Sequence, residues 1–191
     1  MFRAMITGAY WAARRESKQD ASARIASFLS TISLHDPLFS KWFLQARTKS
    51  SSLRSQFSLE SATVFEAMKS NRRDASGDSM PELGFSLGLW NGGDVAFSAR
   101  VGAYSSRVGN AVVLSFGGTS QLDDTAWMGL LKALIAAFDP DHAVVTSREY
   151  LDRLDEAPPW AAGKLTYERG GLWVPEIRAG RFQKLLPVEL K

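Results

Sequence analysis

The sequence predicts a single α+β domain spanning residues 1–191. Its sheet is expected to be largely antiparallel, built round a central meander and packed by amphipathic helices. Three observations carry this expectation. Residues 85–116 form three alternating apolar segments separated by short glycine-bearing turns, the pattern of a meander. Two segments elsewhere, 17–34 and 126–138, carry the apolar residues of core-facing helices. No repeat and no linker interrupts the 191 residues, and a hydrophobic content of 45% is enough to fill one core.

Phe2 to Trp11 reads as a strand with apolar groups on both faces, which suits a central position. Ser17 offers an oxygen to the exposed N–H groups of a following helix, and Asp20 sits near its positive end. Ala21, Ile25, Phe28, Leu29 and Ile32 then share one helical face, and Pro37 stops the unit. Leu38 to Ala46 is read as a short helix carrying Trp42 and Phe43, Arg47 to Gln56 as a loop. Leu59 to Asn71 is read as a third helix with Val64, Phe65 and Met68 inward. Residues 72–82 form a second polar loop. Asn91-Gly92-Gly93-Asp94 and Val108-Gly109-Asn110 supply the turns of the meander, since Asn and Gly accept positive φ at little cost. Ala126 to Phe138 is the most apolar helix, ended by Asp139-Pro140. His142 to Thr146 is a short strand, and Ser147 is read as the cap of a helix reaching Leu154. Residues 164–168 and 172–174 are edge-like strands, while 182–190 fits no single pattern.

Composition removes several functional classes. With no cysteine, the chain has no disulfide, thiolate nucleophile or Cys-zinc site. No secretory signal is visible: Thr7 and Gly8 break the apolar start, and Arg14-Arg15 lies on its wrong side. The stretch from Ala126 to Phe138 is too short to span a bilayer. A cytoplasmic protein without a membrane partner is expected. The formal net charge of +3 is small, but it is unevenly spread. Lys41 to Arg73 is mainly basic, and Asp123 to Glu156 mainly acidic. Such segments present opposite fields when they fold onto different faces.

Catalytic patterns are weak. His35 and His142 are the only histidines, and their spacing to nearby aspartates matches no metal motif. Ser115-Phe116-Gly117-Gly118 lacks the flanking residues of a nucleophile elbow or phosphate loop. Glu189-Leu190-Lys191 has the spacing of a nuclease strand motif but lies at a chain end, where a catalytic constellation is poorly held. No cofactor is called for. Nucleic-acid binding is the physical alternative: Lys41, Arg47, Lys49, Arg54, Lys69, Arg72 and Arg73 lie near Trp42 and Phe43, a combination of cations and aromatics that suits phosphates and bases. Of the six tryptophans, Trp127 is expected in the core. Trp90, beside a hairpin turn, and Trp160, after Pro158-Pro159, are candidate contact residues.

An ordered set of short motifs resembles the immunity protein 52 family of bacterial polymorphic toxin systems. It begins at Gly8-Ala9-Tyr10-Trp11 with Arg14 and Glu16-Ser17, then takes in Phe28-Leu29 and Asp36-Pro37 with Trp42. It continues through Gly84-Phe85, Gly88-Leu89-Trp90-Asn91-Gly92, Asp139-Pro140-Asp141 and Ala143-Val144-Val145-Thr146-Ser147, and closes at Gly163 with Leu165-Thr166-Tyr167. Lys164 stands where the family pattern has tryptophan. The resemblance implies a non-enzymatic antidote whose partner is a cognate toxin, often a nuclease of restriction-endonuclease-like fold, commonly delivered by type VI secretion. It transfers no contact residues. A nuclease groove must be basic to hold phosphate, so the expected complement is acidic. The candidates are Asp123, Asp124, Asp139, Asp141, Asp152, Asp155 and Glu156, with Trp90 and Trp160. Monomer and homodimer are both compatible with the sequence.

Overall fold

A computed structural model describes residues 4–46, 48–54, 56–70, 78, 80–117, 122–147, 165–168, 171–176 and 181–185. The strands are β1 (Met5–Trp11), β2 (Phe43–Leu44), β3 (Lys69–Ser70), β4 (Phe85–Trp90), β5 (Val95–Val101), β6 (Asn110–Phe116), β7 (His142–Ser147), β8 (Leu165–Glu168), β9 (Gly171–Glu176) and β10 (Arg181–Leu185). The α-helices are α1 (Lys18–His35), α2 (Lys49–Ser52), α3 (Ser61–Ala67) and α4 (Asp124–Phe138). Single 3-10 turns occupy Pro37–Phe39 and Pro81–Leu83.

All described strands join one sheet in the order β10-β9-β8-β7-β1-β6-β5-β4-β2, with β3 also on β4. Every pairing is antiparallel. The meander predicted over 85–116 is β4-β5-β6. The expected central strand is β1, which pairs with β6 on one side and β7 on the other. Hydrogen bonds from both neighbours fix its register, so a one-residue slip would turn the core-facing Ala9 and Trp11 to the wrong face.

One face of this sheet is covered by α1 and α4. Val95, Phe97, Ala99 and Val101 of β5 and Val112, Leu114 and Phe116 of β6 all point into that layer and are buried. Phe28 of α1 ties the layer together, its ring 5.3 Å from Phe138 of α4 and 6.3 Å from Phe97. Burying a side chain of this size stabilises the fold by about 1.5–3 kcal/mol. Ser17 caps α1 by accepting from the Asp20 N–H at 3.0 Å, as its sequence position predicts.

Three local expectations are corrected. Leu38 to Ala46 is not a helix. The chain leaves the 3-10 turn at Phe39, buries Trp42, and runs as β2 along the edge of β4. Tertiary demand decides this: Trp42 is 1% exposed, lying over Phe39 and edge-on to Phe97. The loop read over 47–56 contains the short α2. The helix read over 59–71 is shorter, because the chain after Ala67 turns extended to pair as β3 with β4. Val64 and Met68 are buried as expected, whereas Phe65 is half-buried under the Lys18 ammonium. Ser147 is the last residue of β7, and the helix read after it lies outside the described residues.

Candidate functional site

The family-like motifs fall where the fold is stitched together. Gly8 in β1 leaves room for the Tyr10 ring: a Cβ there would stand 2.6 Å from the phenol oxygen. Burial pushes the Tyr10 phenol pKa above its ordinary value, because the ionised form loses solvation. Trp11 stacks on Phe138 at 5.7 Å, and the Arg14 guanidinium lies 4.9 Å from the Trp11 ring. Arg14 donates to the carbonyls of Phe138 and Asp139, so a cation sits at the negative end of α4. Asp139 ends the helix in the left-handed region, with φ 42°. Asp141 then accepts from the Ala12 N–H at 2.9 Å, while its own N–H donates to the Tyr10 carbonyl.

The remaining motif residues do similar work. Glu16 meets Arg24 at 2.7 Å, although burial still holds its carboxyl above the ordinary range. Asp36 accepts from the Leu38 N–H and starts the 3-10 turn. Asn91 accepts from the N–H groups of Gly93 and Val95 and donates to the Leu38 carbonyl, which ties the β4-β5 turn to the chain after α1. These are jobs of caps, turns and packing. One residue of the same kind was not singled out by its sequence. Asn110, 2% exposed, accepts from Ala103 N–H and donates to the carbonyls of Ala12 and Ala103. Its only sequence signal is an Asn beside Gly109 in a turn.

The candidate acidic residues divide between the two ends of α4. Asp123 is its N-cap and accepts from the Ala126 N–H at 2.7 Å, with Asp124 following in the first turn. Asp139 and Asp141 lie past the other end, about 22 Å away for a helix of this length. Both are tied to the residues after β1, with Asp139 3.9 Å from the Arg14 guanidinium. Asp152, Asp155, Glu156 and Trp160 lie outside the described residues. Trp90 is half-buried at the β4-β5 hairpin, where its Nε1 donates to the Gly93 carbonyl.

At the N-terminal end of α4 the surface is concave. A groove of about 400 Å³ runs between the end of α1 and the start of α4. Its walls are Ile32, Phe39 and Leu130, and its rim carries Asp36, Asp123 and His35. Gly129 opens it, since a Cβ there would meet nothing within 4 Å. Asp36, a residue not among the acidic candidates read from the sequence, thus joins Asp123 at one rim.

Among the described residues, no group of three His, Asp or Glu could hold a metal ion. No helix among them is long and apolar enough to cross a membrane. Trp42 lies within the core, so the basic stretch after it lacks the indole as a base-stacking platform. Arg47, Arg72 and Arg73 lie outside the described residues.

No curated protein matches the chain. The family model for immunity protein 52 matches residues 4–174, a span that contains every motif described above and all of the sheet through β8. With most of its length matched by that model, the chain belongs to the immunity protein 52 family.

Proposed function

We propose that this protein neutralises a cognate toxin of a polymorphic toxin system by binding it and covering its active site or substrate groove, without turnover. The family match over residues 4–174 carries this reading. The toxin is proposed to be a nuclease of restriction-endonuclease-like fold, delivered by type VI secretion and met in the cytoplasm. The acidic-rimmed groove between α1 and α4 supports a basic target: Asp36 and Asp123 stand beside an apolar trough, and Asp124 follows Asp123 in the first turn of α4. Such a surface offers carboxylates to the cations that hold nucleic acid and apolar walls to a protruding side chain.

A standard interface buries about 800 Å² on each partner. Against a total surface of 11345 Å², that is roughly 7%. The groove and its rim therefore form the centre of an interface rather than the whole of it. The test is co-expression of the toxin with the wild-type protein and with variants. Wild type should restore growth and inhibit the purified toxin at one-to-one stoichiometry. Asp124→Lys with Asp123→Ser, which keeps a helix cap, should slow association at low salt and leave the fold intact. The same test applies to Asp152→Lys, Asp155→Lys and Glu156→Lys. An unchanged association rate rejects the face tested, and failure of wild type to inhibit rejects the antidote reading.

A further inference from the structure

The sheet face turned away from α1 and α4 carries a second groove, of about 420 Å³, that crosses β3, β4, β5 and β6. Register sets its chemistry. Lys69 is opposite Ser86, Ser86 is opposite Arg100, and Arg100 is opposite Ala111. Paired positions point to the same face, so Lys69 and Arg100 flank Ser86 with Cα atoms about 10 Å apart, two strand spacings. The neighbouring row is Gly88, Ser98 and Val113. Small floor residues create the depth, and Gln45 forms a wall, its amide donating to the Leu89 carbonyl at 3.1 Å.

Charge gives the groove its selectivity. Among the described residues, no carboxylate lines it. Among the described residues, neither Lys69 nor Arg100 has an ion-pair partner. Two unneutralised cations either side of a hydroxyl can hold a carboxylate from three directions. We infer that this groove binds an acidic, extended segment of a protein partner, with one carboxylate held between Lys69 and Arg100 over Ser86. The four strands it crosses span about 14 Å, the length of roughly four extended residues. A nucleic acid suits it less well. Among the described residues the lining has no aromatic side chain for a base to stack on, and two cations neutralise only two phosphates. The site stands apart from the acidic groove between α1 and α4, on the opposite side of the sheet, and does not depend on the antidote reading.

The probe is a capped peptide of alternating Glu and Ser, titrated into isotope-labelled protein and followed by amide shifts. Shifts should concentrate at Ser86, Ser98, Arg100 and Ala111. Paired Lys69→Glu and Arg100→Glu should weaken binding by at least about tenfold. Ser98→Trp fills the groove without changing its charge and should weaken binding as well. Ser98 and Arg100 are exposed, and unchanged amide positions in β1 and α4 verify each fold. Arg100→Gln serves where the double reversal does not fold. Absent shifts, or shifts that map elsewhere, overturn the site. Tighter binding of an oligonucleotide of equal charge assigns the groove to nucleic acid instead. Self-association abolished by Arg100→Glu assigns it to a second copy of this chain.

Discussion

Arg14→Ala separates a scaffold residue from a contact residue. The guanidinium caps the C-terminal end of α4 with two donated hydrogen bonds and covers Trp11. A charged hydrogen bond contributes about 1.5–3 kcal/mol when shielded from water. Here the side chain is 31% exposed, so the lower end applies, and the two bonds share one charge. The ring contact adds about 0.5–1 kcal/mol. The expected loss is about 2 kcal/mol, which for a domain of this size lowers Tm by about 4–8 °C. Arg14→Lys should recover only part of it, because one ammonium does not reproduce the planar fork. Thermal and urea unfolding measure the effect, with toxin inhibition assayed well below the transition. Full inhibition by a destabilised Arg14→Ala protein is the expected result. Lost inhibition at unchanged Tm would refute the argument and place Arg14 in the interface.

Other substitutions probe the interior and its titrations. Asn110→Ala strands the buried N–H and carbonyl of Ala103, removes the bond to the Ala12 carbonyl, and should cost about 3 kcal/mol, read as a lower urea midpoint; a loss below about 1 kcal/mol would mean water replaces the amide. Burial raises the Tyr10 phenol pKa, so the fold favours its protonated form. That stabilisation is complete below the ordinary value of 10.0 and is lost as pH rises through the raised one. Tyr10→Phe should therefore lose less stability than wild type on passing above about pH 10, and a late-titrating part of the wild-type phenolate absorbance should disappear in the variant. Burial also raises the Glu16 carboxyl pKa, against the pull of Arg24 and Arg14. Its favourable contribution is complete below 4.5 and is lost as pH rises through the raised value. Glu16→Gln should gain on wild type between acid and neutral pH; the opposite trend in urea midpoints would show that the Arg24 pair outweighs burial.

Legibility in the sequence followed the range of the interaction. The meander was readable because each strand alternates with period two and its turns are marked by Asn and Gly. Helix α1 was readable from its local cap, Ser17, and from apolar spacing, and α4 from its apolar run and the Asp139-Pro140 stop; its cap, Asp123, emerged only with the structure. Residues 38–46 were misread because nothing local says that Trp42 must reach Phe97, a contact made across more than fifty residues. The end of α3 was misread for a similar reason: Lys69 and Ser70 are held extended by β4, not by their own propensity. For the candidate sites, sequence proximity grouped acids that a rigid helix keeps apart. It also placed Lys69 in a helix and grouped it with the cations near Trp42 and Phe43, whereas strand register sets it beside Ser86 and across from Arg100.

The family motifs and the proposed binding surfaces obey different physics, and this explains why recognition of the one says little about the other. Gly8, Trp11, Arg14, Asp36, Asn91 and Asp141 satisfy buried or terminal backbone groups and fill fixed volumes. Each requirement is met by very few side chains, so the residues leave a readable pattern. A docking surface has no such constraint. Ser98, Arg100 and Asp124 are solvent-facing, and replacing them costs the fold little. A scaffold of this kind holds its described strands and helices through the first set while the second set is free to match one partner. It follows that partner choice should move with exposed substitutions on the two grooves. Transplanting the groove residues of this chain onto another member of the family should carry toxin preference with them at constant Tm, whereas transplanting the motif residues should shift Tm and leave preference where it was.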